Sequence, residues 1–207
     1  GDDVAALAAA SLSGLTSPQV ASLKSAQIEA LTSEQLSSLT SNQLDGLTSA
    51  QIRGIALADL AALSAASLST LSTDQVSGLS TEQTAALKTA QVAGLSTEQM
   101  AGLSTAQVVA LTTAHAAALG TAQLRALATA QVYALEGEDL AALPTANLAG
   151  LSSVQIGALK TAQVVALTTA QANALTSTQL DGLTSAQVRA LETADIAALT
   201  NEQVSSL

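Results

Sequence analysis

Leu103-Ser104-Thr105-Ala106-Gln107-Val108-Val109-Ala110-Leu111 is the stretch that decides the fold, because the whole chain repeats it in steps of eight residues. Steps of eight from Leu7 to Leu207 reach 26 positions, and every one is leucine except Ile55. No insertion or deletion interrupts this period. Self-similarity at a fixed period is the signature of a solenoid, in which each unit buries its apolar face against its neighbours. We therefore expect residues 1–207 to form a single continuous repeat domain.

The composition restricts both the core and the classes of function. The chain has no Cys, Phe or Trp and only one Tyr, one Met and one His, so its core must be aliphatic. A net charge of −10 argues against nucleic-acid binding, which needs a basic surface. Ser, Thr and Gln interrupt the apolar residues of every octad, so no stretch approaches the roughly 20 apolar residues that span a bilayer. We expect neither a nucleic-acid partner nor membrane insertion.

Each octad has eight slots, counted from the residue after one leucine to the next leucine, so Ser104 occupies slot 1 and Leu111 slot 8. Slot 2 is Ser or Thr in 20 of 26 octads, which is typical of a helix N-cap. Slot 3 contains seven acids, one proline and no base, as expected of the first helical turn. The pattern predicts that Thr105 is the N-cap and that Ala106 begins the helix.

A capping box that begins one residue earlier is the other way to start the helix. It would pair an N-cap in slot 1 with the glutamine of slot 4 at position N3. Slot 1, however, also contains Gly120, Pro144 and three lysines. Lysine and proline are not among the preferred N-caps. We therefore prefer the start after slot 2 as the general rule.

Slots 5, 7 and 8 predict a short helix with one apolar face. Slot 5 is almost always aliphatic, slot 7 is small apart from Thr70, and slot 8 is leucine; the spacing of three puts slots 5 and 8 on one face. One long helix is excluded because a period of eight does not match 3.6 residues per turn. We predict an all-α solenoid, a superhelical coil of single short helices with one per octad. A β-solenoid is the alternative, although Ala, Leu, Gln and Glu favour helix.

Slot 4 is Gln in 18 of 26 octads, and every replacement can form hydrogen bonds. Short helices leave many backbone N–H and C=O groups without intrahelical partners. We interpret slot 4 as a structural ladder of partly buried amides that bond to the backbone of an adjacent unit. Its central members are Gln91, Gln99, Gln107, Gln123 and Gln131.

Slots 1 and 6 vary without restraint and contain all six basic residues, so we expect them to face solvent. Arg125 and Tyr133 are consecutive slot-6 residues, and Val109 occupies the same slot. Arg and aromatic side chains often anchor interfaces. These three residues are the candidate interaction surface for a protein or glycan partner. Scattered exposed residues of this kind are also normal on a surface without a partner.

A longer period is superimposed on the octads. Aspartate occupies slot 4 at Asp3, Asp59 and Asp139, and each time the next octad lacks the glutamine. These markers divide the chain into three blocks, 8–63, 64–143 and 144–199. The pattern indicates that a larger block was duplicated.

The sequence contains no arrangement that points to catalysis. His115 stands in the glutamine slot without a second His or any Cys, so it is interpreted as a hydrogen-bonding substitute for Gln. The acidic cluster Glu136-Gly137-Glu138-Asp139 lacks the interleaved spacing of a calcium loop and is interpreted as a degenerate helix start. The Ser and Thr rows lack the neighbouring base that a nucleophile needs. We therefore expect no enzyme activity, no cofactor and no metal site.

The octad L-[ST]-[ST]-x-Q-[VIL]-x-[AGS], which covers nearly all of the chain, resembles the tandem LTTAQVAAL arrays of very large bacterial proteins, often secreted or surface-associated. The resemblance implies a structural solenoid that serves as spacer, stalk or scaffold segment of a larger parent protein, extracellular or at the cell surface. The alternative is a protein- or glycan-binding repeat module that uses the variable surface slots. Pieces such as Ala58-Asp59-Leu60 also resemble pentapeptide repeats, but the unbroken period of eight argues against that family.

Overall fold

A computed structural model describes residues 8–207 of the chain. The described residues fall into two compact units, one that ends at Ala110 and one that spans Leu111–Leu207. Every octad from residue 8 onward contains one helix, and the described residues contain no strand. The predicted all-α solenoid of single short helices is therefore confirmed, and the β-solenoid alternative is not supported. The single continuous domain and its three blocks stay predictions.

The helices are four to six residues long. In the first unit they span Ala9–Leu12, Ser17–Ala21, Ser25–Glu29, Ser33–Ser38, Ser41–Asp45, Ser49–Gly54, Leu57–Ala62, Ala65–Ser69, Thr73–Ser77, Thr81–Ala86, Thr89–Ala93, Thr97–Gly102 and Thr105–Val109. In the second unit they span Thr113–Ala117, Thr121–Ala126, Thr129–Ala134, Gly137–Ala142, Ser153–Gly157, Thr161–Val165, Thr169–Ala174, Ser177–Leu180, Ser185–Val188, Thr193–Ala198 and Asn201–Val204, with a 3₁₀ helix at Thr145–Gly150.

The helices begin one residue earlier than the sequence predicts, so the assignment of Thr105 as N-cap is wrong. Ser104 has the extended backbone of an N-cap (φ −69°, ψ 157°), and Thr105 is the first helical residue. The Ser104 hydroxyl accepts from the Gln107 backbone N–H at 3.2 Å, while the Gln107 side-chain Oε1 accepts from the Ser104 backbone N–H at 2.8 Å. This reciprocal pair is the capping box that sequence reasoning rejected.

The composition of slot 1 misled the prediction because half of the capping box needs no side chain in that slot. The Oε1 of Gln123 accepts from the backbone N–H of Gly120 at 3.0 Å, and the Oε1 of Gln163 accepts from that of Lys160 at 2.6 Å. Any residue with an N–H therefore serves as N-cap. A slot-1 hydroxyl adds a second hydrogen bond where it is present.

Slots 5 and 8 form the aliphatic core of each unit. The slot-5 residues from Leu12 to Leu180 are at most 1% exposed, and the slot-8 residues from Leu31 to Leu175 are at most 6% exposed. Helices this short do not persist alone in water, because nucleation costs more than a few hydrogen bonds return. Burial of slots 5 and 8 against neighbouring coils therefore stabilises them.

Residues that touch across consecutive coils are three to four octads apart in the sequence. Helix Thr73–Ser77 packs against Thr97–Gly102, three octads further on, in the first unit. Helix Thr113–Ala117 packs against Gly137–Ala142 at the same spacing in the second. Side-chain to backbone hydrogen bonds reach a little further, over 28 and 31 residues. One turn of the coil thus takes between three and four octads.

Slot 7 is small because it lies against slot 2 of an earlier coil. A Cβ atom on Gly78 would lie 2.6 Å from the Cβ of Ser49. A Cβ on Gly150 would lie 3.0 Å from the Cα of Thr121 and closer still to its carbonyl oxygen. Contacts this short are not tolerated between real side chains, so glycine or a small residue here allows the backbones of two coils to approach.

Candidate functional site

Gln107 joins two coils and caps its own helix with one side chain. Its Nε2 donates to the carbonyl oxygens of Val76 at 2.9 Å and Leu79 at 3.0 Å, in the octad four units earlier. Its Oε1 accepts from the backbone N–H of Ser104. The side chain is 2% exposed. Because an amide offers two donors and an acceptor, glutamine satisfies buried backbone groups on both coils at once.

The same contact recurs along both units, so the amides form a row that we call the glutamine ladder. In each case Nε2 donates to the slot-8 carbonyl oxygen 28 residues earlier, at 2.6–3.0 Å. The pairs are Gln43–Leu15, Gln51–Leu23, Gln75–Leu47, Gln83–Ile55, Gln91–Leu63, Gln99–Leu71, Gln107–Leu79, Gln155–Leu127, Gln163–Leu135, Gln171–Leu143, Gln179–Leu151, Gln187–Leu159 and Gln203–Leu175.

Gln123 and Gln131, the other two residues named from the sequence, are buried at 7% and 3% exposure. Each caps its own helix through Oε1. These atoms accept from the backbone N–H groups of Gly120 at 3.0 Å and of Ala128 at 2.6 Å.

Two replacements in slot 4 preserve part of the glutamine chemistry. The Nδ2 of Asn147 donates to the carbonyl oxygen of Leu119 at 2.8 Å, across the same 28 residues. The Nδ1 of His115 accepts from the Thr112 backbone N–H at 3.2 Å, which is the role that Oε1 plays elsewhere. His115 is 3% exposed.

Asp139 occupies slot 4 without the amide donor that glutamine provides there. Its side chain is 3% exposed, and its Oδ2 is the buried polar side-chain atom that has no hydrogen-bond partner among the described residues. Burial raises the pKa of this carboxyl above its ordinary value; a hydrogen bond from Thr113 opposes the rise, while the charges of Glu136 and Glu138 add to it. The acidic cluster that the sequence interprets as a degenerate helix start thus contains a carboxyl that burial drives toward its neutral form.

The candidate interaction surface divides between the two units. Val109 is 46% exposed in the first unit, while Tyr133 is 52% exposed and Arg125 exposed in the second. Sequence reasoning missed Lys160, whose Nζ lies 4.5 Å from the centre of the Tyr133 ring. The register between coils, which the sequence does not display, brings slot 1 beside slot 6 of the octad four units earlier. The ammonium group lies over the face of the exposed ring, an attraction of about 0.5–1 kcal/mol at an exposed site.

Neither a metal centre nor a membrane span occurs in residues 8–207. Within that range no three His, Asp or Glu side chains are grouped so that they could hold a metal ion. The helices of the same range are all too short to cross a membrane.

A family profile described as "ALTTAQ repeat" matches the chain at residues 2–33, 53–89, 85–113, 132–169, 157–185 and 173–207. These matches cover more than half of the chain. The chain belongs to the ALTTAQ repeat family. The tandem octapeptide array inferred from the sequence is thereby confirmed, and Ala106-Gln107 is one copy of the Ala-Gln pair in the family's name. A comparison with curated proteins gave no match.

Proposed function

We propose that this ALTTAQ array is a non-enzymatic structural solenoid, which acts as a spacer, stalk or scaffold segment of a larger bacterial protein. The parent protein that we infer is secreted or displayed at the cell surface, as the arrays it resembles often are. The glutamine ladder is the observation that supports the proposal. It uses the glutamine found in slot 4 of 18 of the 26 octads to hold one coil to the next.

The repetition of the ladder gives the array the properties that a spacer needs. The bond from Gln43 to Leu15 and the bond from Gln203 to Leu175 join the same slots over the same 28 residues. Each added octad therefore extends the stack with the same contacts. In such arrays stability is close to a sum over units and the interfaces between neighbours, so length can change without a change of fold.

A protein- or glycan-binding module is the second candidate, and the exposed pair Tyr133 and Lys160 favours it. The exposed aromatic ring and the cation beside it offer a partner both an apolar surface and a positive charge. Aromatic side chains are also frequent anchors of interfaces. Arg125 is exposed in the same slot one octad earlier.

Stretching a single molecule tests the structural role. The chain contains no cysteine, so Ser13→Cys and Ser205→Cys provide two specific attachment points. Coils that contact only their neighbours should be released in small steps, each near one turn of 28 residues or about 90 Å of extended chain. A force–extension curve without steps, like that of an unstructured chain, would reject a spacer that keeps its length.

A glycan array tests the binding role, with the 207-residue chain as the probe and Tyr133→Ala, Arg125→Ala and Lys160→Ala as variants. The spacer proposal expects no saturable signal on any glycan. Saturable binding that Tyr133→Ala removes and that Val165→Ala, a control at another exposed slot-6 position, preserves would establish the second candidate.

A further inference from the structure

The octad 64–71 lacks the ladder bond that joins most other octads to an earlier coil. Ser67 takes the place of glutamine in its slot 4. The carbonyl oxygen of Leu39, 28 residues earlier, receives no hydrogen bond from the described residues. The Ser67 hydroxyl instead lies 2.8 Å from the hydroxyl of Ser64, the N-cap of its own helix. Ser67 thus bonds within its own helix and leaves the earlier coil without a donor.

The preceding octad, 56–63, does not compensate for this loss. Asp59 occupies its slot 4 and accepts a hydrogen bond from the hydroxyl of Ser33, 26 residues earlier. The carbonyl oxygen of Leu31, which a glutamine would reach from slot 4, receives no hydrogen bond from the part of the chain that the structure describes. Two consecutive ladder bonds are therefore missing at the predicted boundary between the blocks 8–63 and 64–143.

Slot 7 of the octad 64–71 is also exceptional, because it contains Thr70 where every other octad has Ala, Gly or Ser. Elsewhere slot 7 lies against slot 2 of a coil 29 residues earlier, as Gly78 does against Ser49. The same register sets Thr70 against Ser41. A threonine side chain therefore fills space that the other octads leave for the close approach of two coils.

The packing of the helices differs at the same place. Each helix of the first unit packs against the helix three octads further on, where both lie in that unit, except Ser41–Asp45. That helix makes at most a slight contact with its counterpart, Ala65–Ser69. The core is continuous here, since Leu44 and Leu68 are both 0% exposed. Apolar burial alone therefore holds this contact, without the ladder bonds and the close approach of slot 7.

The octad 144–151 shows the same place in the second unit with a tight contact. It also follows an octad with aspartate in slot 4, yet the Nδ2 of Asn147 donates to the slot-8 carbonyl oxygen 28 residues earlier at 2.8 Å. Gly150 in its slot 7 lets the backbone of Thr121 approach, and its helix packs against the helix three octads earlier. The weak contact at 64–71 thus results from its own residues in slots 4 and 7.

We propose that the octad 64–71 is a joint of the first unit, at which the array opens locally while the coils on either side stay closed. Opening separates its helix from Ser41–Asp45 and exposes the carbonyl group of Leu39 and part of the apolar core. It is easier here than elsewhere because fewer contacts must be broken. The joint is a property of the array itself, whether the array acts as a spacer or binds a partner.

Hydrogen exchange of the 207-residue chain tests the joint, with slot-8 amides as reporters because each closes its own helix. The amide of Leu71 donates to Leu68 at 3.1 Å, and that of Ile55 donates to Ile52 at the same distance. Leu71 should exchange about tenfold faster than Ile55 and Leu103, with little dependence on low denaturant concentrations, as expected of local opening. Equal protection of the three amides would overturn the proposal. A steady rise in protection from Ile55 through Leu71 to Leu103 would do the same, because it indicates fraying from one end.

Ser67→Gln with Thr70→Ala restores the usual residues of slots 4 and 7 and should close the joint. Exchange at Leu71 should become about tenfold slower, as expected from a regained hydrogen bond, while exchange at Ile55 stays the same. Ser69→Gln is the matched control, since it adds a glutamine at an exposed slot-6 position of the same octad. An unchanged rate at Leu71 in the double variant, or equal slowing by Ser69→Gln, would contradict the joint.

The reverse change tests the same idea in the second unit. Asn147→Ser removes the bond to the earlier coil and gives the octad 144–151 the slot-4 residue of the joint. The amide of Leu151, which donates to Leu148 at 3.0 Å, should then exchange several times faster. Circular dichroism checks that the variant keeps its helix content. An unchanged rate at Leu151 would show that the ladder bond does not control local opening, and the proposal would fail.

Discussion

Gln107 and Leu79 are 28 residues apart in the chain, and the Nε2 of Gln107 lies 3.0 Å from the carbonyl oxygen of Leu79. Leu79 closes one octad, and its carbonyl group points along the coil toward the next turn. No backbone donor of its own helix reaches that oxygen. The glutamine supplies what the short helix lacks, and this relationship explains why slot 4 is the most constant polar position.

Replacing Gln107 with leucine should destabilise the array by about 2 kcal/mol or more. The change leaves the buried carbonyl of Leu79 without a donor, and an unsatisfied buried polar group costs about 1–3 kcal/mol. The capping bond to the Ser104 backbone N–H disappears as well. Urea denaturation measures the loss. Hydrogen exchange should show a loss of protection at the Ser104 amide. That loss would locate the effect of the substitution at the start of this helix.

The control for this change is Gln19→Leu. Gln19 is exposed, and its side chain makes only the capping contacts with other described residues, so its replacement should cost clearly less. Equal losses of stability at the two positions would contradict the role assigned to the bonds between coils.

The N-cap assignment predicts different effects for two adjacent residues. Ser104→Ala removes the hydroxyl that accepts from the Gln107 backbone N–H, at a cost of about 0.5–1 kcal/mol. Thr105→Ala should be close to neutral, because Thr105 is the first helical residue and alanine has a higher helix propensity than threonine. Denaturation midpoints of the two variants compare them directly. A larger cost for Thr105→Ala would restore slot 2 as the cap.

Asp139→Asn should stabilise the second unit at neutral pH. The buried carboxyl has a raised pKa, so its neutral form favours the folded state, and that contribution is lost as pH rises through the folded pKa. Asparagine cannot ionise and offers a donor in the slot. The gain in unfolding free energy should therefore be largest at pH 7 and should shrink as pH falls to about the ordinary value for aspartate, near 3.9.

Asp181→Asn is the control for charge, since Asp181 is exposed in the same unit. The Asp181→Asn change should have a small effect on stability at pH 7 and at pH 4. If Asp139→Asn were neutral at pH 7, or if its effect did not change between pH 7 and pH 4, burial of the ionised carboxyl would not be a cost to the fold.

Gly150→Ala should destabilise the second unit by about 1–3 kcal/mol, the typical cost of overpacking. Its Cβ would be 3.0 Å from the Cα of Thr121, which is backbone and cannot move aside as a side chain does. Gly120→Ala is the matched control, because the nearest atom to its Cβ is 3.9 Å away and alanine already serves as N-cap at Ala128. Thermal unfolding of both variants measures the difference. Similar melting temperatures would show that the coils do not meet closely at slot 7.

The octad accounts for how much of the fold was predictable and for where prediction failed. Periodic leucines and small slot-7 residues indicate short stacked helices, and the structure confirms them. The start of the helix was misplaced by one residue because frequencies in slot 1 do not reveal a backbone donor. Gly120 and Lys160 are acceptable N-caps because a glutamine side chain three residues later accepts a hydrogen bond from the N–H group of each. Every residue except proline has this group, so it does not affect which residue occupies the slot.

The sequence by itself determined the local unit: one short helix per octad, with an aliphatic core in slots 5 and 8. The spacing of residues within one octad displays these features, because it shows which slots share a helix face. Only the tertiary structure decided which octads meet. The separations of 28 and 31 residues, the pairing of Lys160 with Tyr133 and the unsatisfied Oδ2 of Asp139 follow from the number of octads per turn. That number results from packing among coils, and it cannot be read from the sequence of one octad.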